Sequence, residues 1–166
     1  MTYSQETKRL WRWIAVIAVV GAAAAAALWV VFVRTSEEAR RRRLIAGNER
    51  QARAVIDNVA AAQQLHLEAR GEYGTFPQLV EAGVFQAPLS GEQLVAGGYA
   101  FSLRVTPRAE GRPPSFELNA DPVRDRGPDA TGRRHFYAGS EVTGIRFNDE
   151  RPATAADPPL PRADTY

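Results

Sequence analysis

Few residues in this chain have side chains suited to chemistry, and their types exclude most of it. There is no Cys and there are two His, so disulfides, thiolate zinc sites, iron–sulfur ligation and c-type haem attachment are ruled out. His66 and His135 lie far apart in the chain and read as packed or surface histidines, not as a metal centre. Ser and Thr nucleophiles find no paired base, and no G-x-S-x-G elbow is present. No Walker loop appears either, and Gly97-Gly98 reads as a turn entering a strand. The one carboxylate cluster, Asp121, Asp125 and Asp129, offers weak oxygen ligands for calcium. Arg124, Arg126 and prolines interrupt it, and the spacing departs from an EF-hand loop. The sequence therefore predicts no catalytic residue, no cofactor, no enzyme and no small-molecule substrate.

The elements that would position these residues follow from length and charge. With 166 residues, 45% of them hydrophobic, the chain suits one modest domain with appendages. Its net charge of +2, from 21 Lys+Arg against 19 Asp+Glu, gives no footing for a nucleic-acid partner. Residues 34–53 hold seven Arg and three Glu, while residues 54–166 hold eleven Arg and fifteen Asp+Glu: a basic neck precedes an acidic head.

Ile14 to Val33, IAVIAVVGAAAAAALWVVFV, carries no charge, and twenty helical residues span roughly 30 Å. The run predicts a single-pass transmembrane helix, with Trp11, Trp13, Trp29, Arg12 and Arg34 as interface anchors. A cleaved signal peptide, with Lys8-Arg9 as its basic region, is the rival reading; an uncleaved anchor is expected. Gly21, Ala22, Ala23, Ala26 and Ala27 form a small-residue stripe suited to close helix packing. Arg40, Arg41, Arg42 and Arg43 are expected to face anionic lipid head groups, each contact worth about 1 kcal/mol.

Beyond the apolar run, Ile45, Ala52, Ile56, Val59 and Ala62 recur at helical spacing, predicting a helical neck over 34–70 ended by Gly71 and Gly74. A short helical turn follows at Thr75-Phe76-Pro77. Tyr99, Phe101, Leu103 and Val105 alternate with polar residues, as do Phe116, Leu118 and Ala120, which is strand periodicity. His135 to Ala138 and Val142 to Phe147 complete four expected strands. The expected organisation is an N-tail over 1–13, a transmembrane helix over 14–33, the neck, an antiparallel-sheet head over 71–148 and a Pro-rich extended tail over 149–166.

This order resembles the type IV pilins and type II secretion pseudopilins. The segments that carry it are AVIDNVAAAQQLHLEARGEYGTFPQLVEAGVF at 54–85, GGYAFSLRV at 97–105, FELNADPV at 116–123 and GRRHFYAGSEVTGIRF at 132–147. The resemblance implies an α+β, membrane-anchored fold, with a long N-terminal helix and a small four-stranded antiparallel sheet. It also implies an N-terminus in the cytoplasm and a periplasmic head at a bacterial inner membrane. The count of basic residues, three before the apolar run (Lys8, Arg9 and Arg12) and five after it, points the other way. A pilin's cleavage motif and helix-start Glu are missing: Arg12-Trp13-Ile14 stands in their place.

The functional expectation is a non-enzymatic accessory subunit packed by its small-residue helix and pilin-like head against other membrane protein subunits. Photosynthetic reaction centre–antenna and respiratory assemblies are settings that recruit such subunits. A minor pilin or pseudopilin is the first alternative, and a membrane-tethered periplasmic binding module the second.

Overall fold

The computed structural model describes residues 3–87, 89–90 and 93–161; the side chains of residues 3–10, 12, 14–17, 20, 22–24 and 90 lie outside the description. Contacts divide the chain into two units, Met1–Arg43 and Leu44–Tyr166. The helix α1 (Tyr3–Arg70) contributes to both.

In the second unit α1 buries one stripe, Ile45, Ala52, Ile56, Val59 and Ala62, at the steps of seven, four and three that keep side chains on one helix face. The stripe then turns polar. Gln63 is fully buried and His66 nearly so, and both serve the chain reversal that follows. Gly71 takes φ +76, the left-handed conformation that commonly ends a helix. The Gln63 amide Nε2 donates to the Gly74 carbonyl at 2.7 Å, while its Oε1 accepts from the Gly74 N–H at 2.9 Å. His66 Nδ1 meets the Glu72 carbonyl at 2.9 Å. A Cβ on Gly74 would lie 3.1 Å from both the His66 ring and the Leu79 side chain, so the reversal is as tight as a glycine allows. Gln78 then reaches back to the Thr75 N–H at 2.8 Å and starts α2 (Phe76–Glu81), which buries Phe76 and Leu79.

Six strands follow: β1 (Leu89–Ser90), β2 (Gln93–Ala96), β3 (Tyr99–Thr106), β4 (Ser115–Pro122), β5 (His135–Gly139) and β6 (Arg146–Asn148). They form one antiparallel meander in sequence order. Tyr99 and Phe101 of β3, Phe116, Leu118 and Ala120 of β4, and Phe136 of β5 share one core cluster with the α1 stripe. Gly97 and Gly98, at φ +56 and +74, form the two-residue turn of the β2–β3 hairpin, a geometry that demands positive φ at both positions.

Two expectations are corrected. The sheet has six strands, not four, because β1 and β2 lie ahead of the first alternating stretch, and the last strand begins at Arg146 rather than Val142. The residues between, including Gly144 at φ +77, are turn. The second correction concerns the membrane. Among the described residues no helix is long and apolar enough to cross one. The single-pass assignment of 14–33 is therefore not supported. Membrane anchoring, the inner-membrane placement and the cytoplasmic and periplasmic sides assigned to the two ends fall with it.

The Gln63 amide satisfies two buried backbone groups at once, so Gln63→Leu strands both, each worth about 1–3 kcal/mol. The expected loss is about 2–4 kcal/mol in urea unfolding. Gln64→Leu, which removes only an exposed bond to Glu68, should stay within about 0.5 kcal/mol of the native chain.

Candidate functional site

The sheet face turned away from α1 is lined by the alternate residues of β3–β6, and a strap of chain from Asp149 to Pro161 lies on it. Phe147 N–H donates to the Pro158 carbonyl at 3.1 Å and Leu160 N–H to the Ile145 carbonyl at 2.8 Å, so the strap continues the sheet beyond β6. Asn119 donates to the Ala153 carbonyl at 2.7 Å, and Ala153 is buried. The Pro-rich segment read as an extended tail is thus held along 149–161; residues 162–166 lie outside the described residues.

One carboxylate organises the strap. Asp157 is buried and accepts from Asn148 Nδ2 at 2.8 Å, from the Thr154 N–H and hydroxyl at 2.8 Å each, and from both terminal nitrogens of Arg151 at 2.9 and 3.1 Å. Hydrogen bonds from Asn148 and Thr154 hold its carboxyl far below the usual carboxylate range, because every donor favours the ionised form.

Under the same face, His135 Nδ1 lies 2.6 Å from Asp121 Oδ1, with His135 buried and Asp121 half-buried. This occupies the first of the three candidate calcium ligands. The other two point elsewhere: Asp125 pairs with Arg126 at 3.6 Å and Asp129 with Arg124 at 3.7 Å. Among the described residues no three His, Cys, Asp or Glu side chains come together to hold a metal ion. The acidic loop is instead tied down through Thr131, whose hydroxyl donates to the Gly98 carbonyl at 2.6 Å. Glu49 of α1 also accepts from the Arg133 N–H at 3.1 Å and the Arg134 N–H at 3.4 Å. Tyr99 is fully buried and donates to the Arg134 carbonyl at 2.9 Å; burial above all pushes its phenol far up, so it stays protonated.

The remaining sequence-predicted residues lie on the first unit's helix. Leu28, Trp29 and Phe32 are 71%, 69% and 65% exposed, and Trp11, Trp13, Val19, Val30 and Val31 are exposed as well. Gly21, Ala26 and Ala27 are exposed; the side chains of Arg12, Ala22 and Ala23 lie outside the described residues. Arg34, Arg40, Arg42 and Arg43 are exposed and Arg41 is half-buried. Their expected roles as interface anchors and lipid contacts presupposed the membrane segment, which is not supported. Thr35 and Ser36, just past the apolar stretch, bond back to the carbonyls of Val31, Phe32 and Val33 and so satisfy their own hydroxyls.

Clefts open at several places among the described residues. His66, Arg70, Glu72, Gln78 and Glu81 line one of about 370 Å³ at the α1–α2 reversal. A second, between α1 and the end of the strap, is described below. Sequence reasoning missed the Asp157 cluster and the His135–Asp121 pair, since each joins residues whose proximity depends on strand register; a lone Asp between prolines carries no periodic signal.

Asp157→Asn should free the strap while leaving the helix and sheet intact. Its depressed carboxyl contributes stability that is complete above the unfolded value of about 4 and is lost as pH falls through the lower folded value. The variant should therefore melt several degrees lower at pH 7, gain protease cleavage within 149–157, and converge on the native chain as pH drops well below 4.

Comparison with protein-family models, curated proteins and solved structures finds no match to this chain.

Proposed function

We propose that this chain is a non-enzymatic structural subunit of a larger protein complex, built on a pilin-like plan and held to its partners by the first half of α1. The observation that carries this reading is the run of large apolar side chains from Leu28 to Phe32, all about half exposed or more. Successive helical residues step by about 100°, so five in a row face every side of the helix. A helix apolar all round belongs in a buried setting, and contiguous exposed apolar surface marks an interaction site. No single flat partner covers such a helix. Helices of other protein subunits on more than one side do, and Gly21, Ala26 and Ala27 let them approach closely.

The head supports the same reading by what it invests in rigidity. Of its buried polar residues, Gln63 and His66 bond to backbone at the reversal, Asp157 holds the strap and His135 pairs with Asp121. The order of long helix, tight reversal and antiparallel meander supports the pilin-like plan.

The test is site-directed photo-crosslinking in cells of the organism that produces the protein. A benzophenone amino acid replaces Trp29 or Val31, which lie about 200° apart around the helix, and Arg108 in the β3–β4 turn serves as control. Discrete protein adducts are expected from both helix positions. Adducts no stronger than those from Arg108 would overturn the reading.

A further inference from the structure

A cleft of about 360 Å³ opens between α1 and the end of the strap, at the small end of the range for ligand cavities. One wall is a helical stripe, Arg50, Arg53, Ala54 and Asp57, spaced so that all four share a face. The other is Ile145 and Leu160 with Pro161, fixed in place by the 2.8 Å bond from the Leu160 N–H to the Ile145 carbonyl. Ile145 and Leu160 are half-buried and pack on the core cluster, so this wall cannot collapse into the opening without disturbing the core. Gly144 at the mouth has nothing within 4 Å of the position a Cβ would take, which leaves the entrance open.

The lining is chemically two-sided. Ala54, Ile145, Leu160 and Pro161 are apolar, while two guanidinium groups and one carboxylate stand on the helix side. Arg53 and Asp57 interact with each other, and burial pushes the Asp57 carboxyl up against the lowering effect of Arg53. Arg50 is exposed at the rim. The pair being roughly neutral, the cleft carries about one surplus positive charge beside an apolar wall.

We propose that this cleft binds a small monocarboxylate with an apolar body. The carboxylate takes the Arg50 guanidinium, whose planar fork matches it, and the body lies against Ile145, Leu160 and Pro161. Asp57 opposes a second negative charge, so a dianion such as inorganic phosphate is disfavoured. A neutral analogue of the same shape keeps the apolar contact and loses the ion pair.

The experiment is an amide-resolved NMR titration of the full chain with 4-phenylbutyrate, its neutral amide and inorganic phosphate. The carboxylate should shift the Gly144, Ile145 and Leu160 signals saturably, and the amide and phosphate should bind at least tenfold more weakly. Arg50→Gln should weaken the carboxylate at least tenfold, and Ile145→Ser should weaken carboxylate and amide alike. Equal binding of carboxylate and amide, an unchanged affinity in Arg50→Gln, or no shift at these three amides would overturn the proposal. Because Arg50 and Ile145 lie outside the apolar half of α1, crosslinking from Trp29 and Val31 is unaffected by either result.

Discussion

The whole head hangs on the reversal at the end of α1. A helix can bury a stripe only if the chain returns along it, and the return begins with five residues that make no regular ladder, Gly71 to Thr75. Backbone groups in such a joint lose water without gaining a helix or sheet partner, at about 1–3 kcal/mol each. Gln63 solves this from inside the helix. Its amide presents one donor and one acceptor in the geometry of a peptide group, and Gly74 takes both. His66 does the same for the Glu72 carbonyl from one turn further along. The helix thus carries, in its last turns, the partners for the turn that follows it, and α2 and the sheet are placed by that fit.

The same device recurs at the opposite end of the helical stripe. Asn48 donates to the Thr131 carbonyl at 2.8 Å, Glu49 accepts from two successive N–H groups at Arg133 and Arg134, and Gln51 packs where a Cβ on Gly97 would fall. Polar side chains of α1 grip irregular backbone at both ends of the apolar stripe, while the stripe between them grips the sheet. The far face is handled by Asp157, which gathers donors from β6 and the strap. A chain without cysteine secures its C-terminal strap with one fully bonded carboxylate.

The sequence reveals regular structure where its period is unbroken. The α1 stripe, β3 and β4 alternate in step with their burial, and each could be read from residue type alone. Reading fails where an element is too short for a period to show. The β2 strand offers only Leu94 buried in Gln93–Ala96, and β1 has two residues; β2 exists because the Gly97-Gly98 turn folds it onto β3, and β1 because it pairs with β2. A pair of glycines says turn, but what precedes a turn is fixed by pairing, which is a tertiary property. The site residues were legible in part. Asp121, Asp125 and Asp129 stand together in sequence, yet register sends Asp121 across to His135 while arginines take the other two. The apolar run of 14–33 was obvious as composition; its assignment to a membrane was not supported.

What α1 changes along its length constrains how the protein works. From Ile45 to His66 its buried apolar residues occupy one face, and the chain itself covers that face. From Leu28 to Phe32 apolar residues occupy every face, and among the described residues nothing covers them. Each large aliphatic or aromatic side chain that a partner removes from water gains about 1.5–3 kcal/mol, so covering these five favours binding. Thr35 and Ser36 close off their own hydroxyls against the helix just beyond this stretch. The helix is therefore divided into a part that completes a fold and a part that the chain itself leaves exposed among the described residues, and it is the second part that the proposed partners would bind.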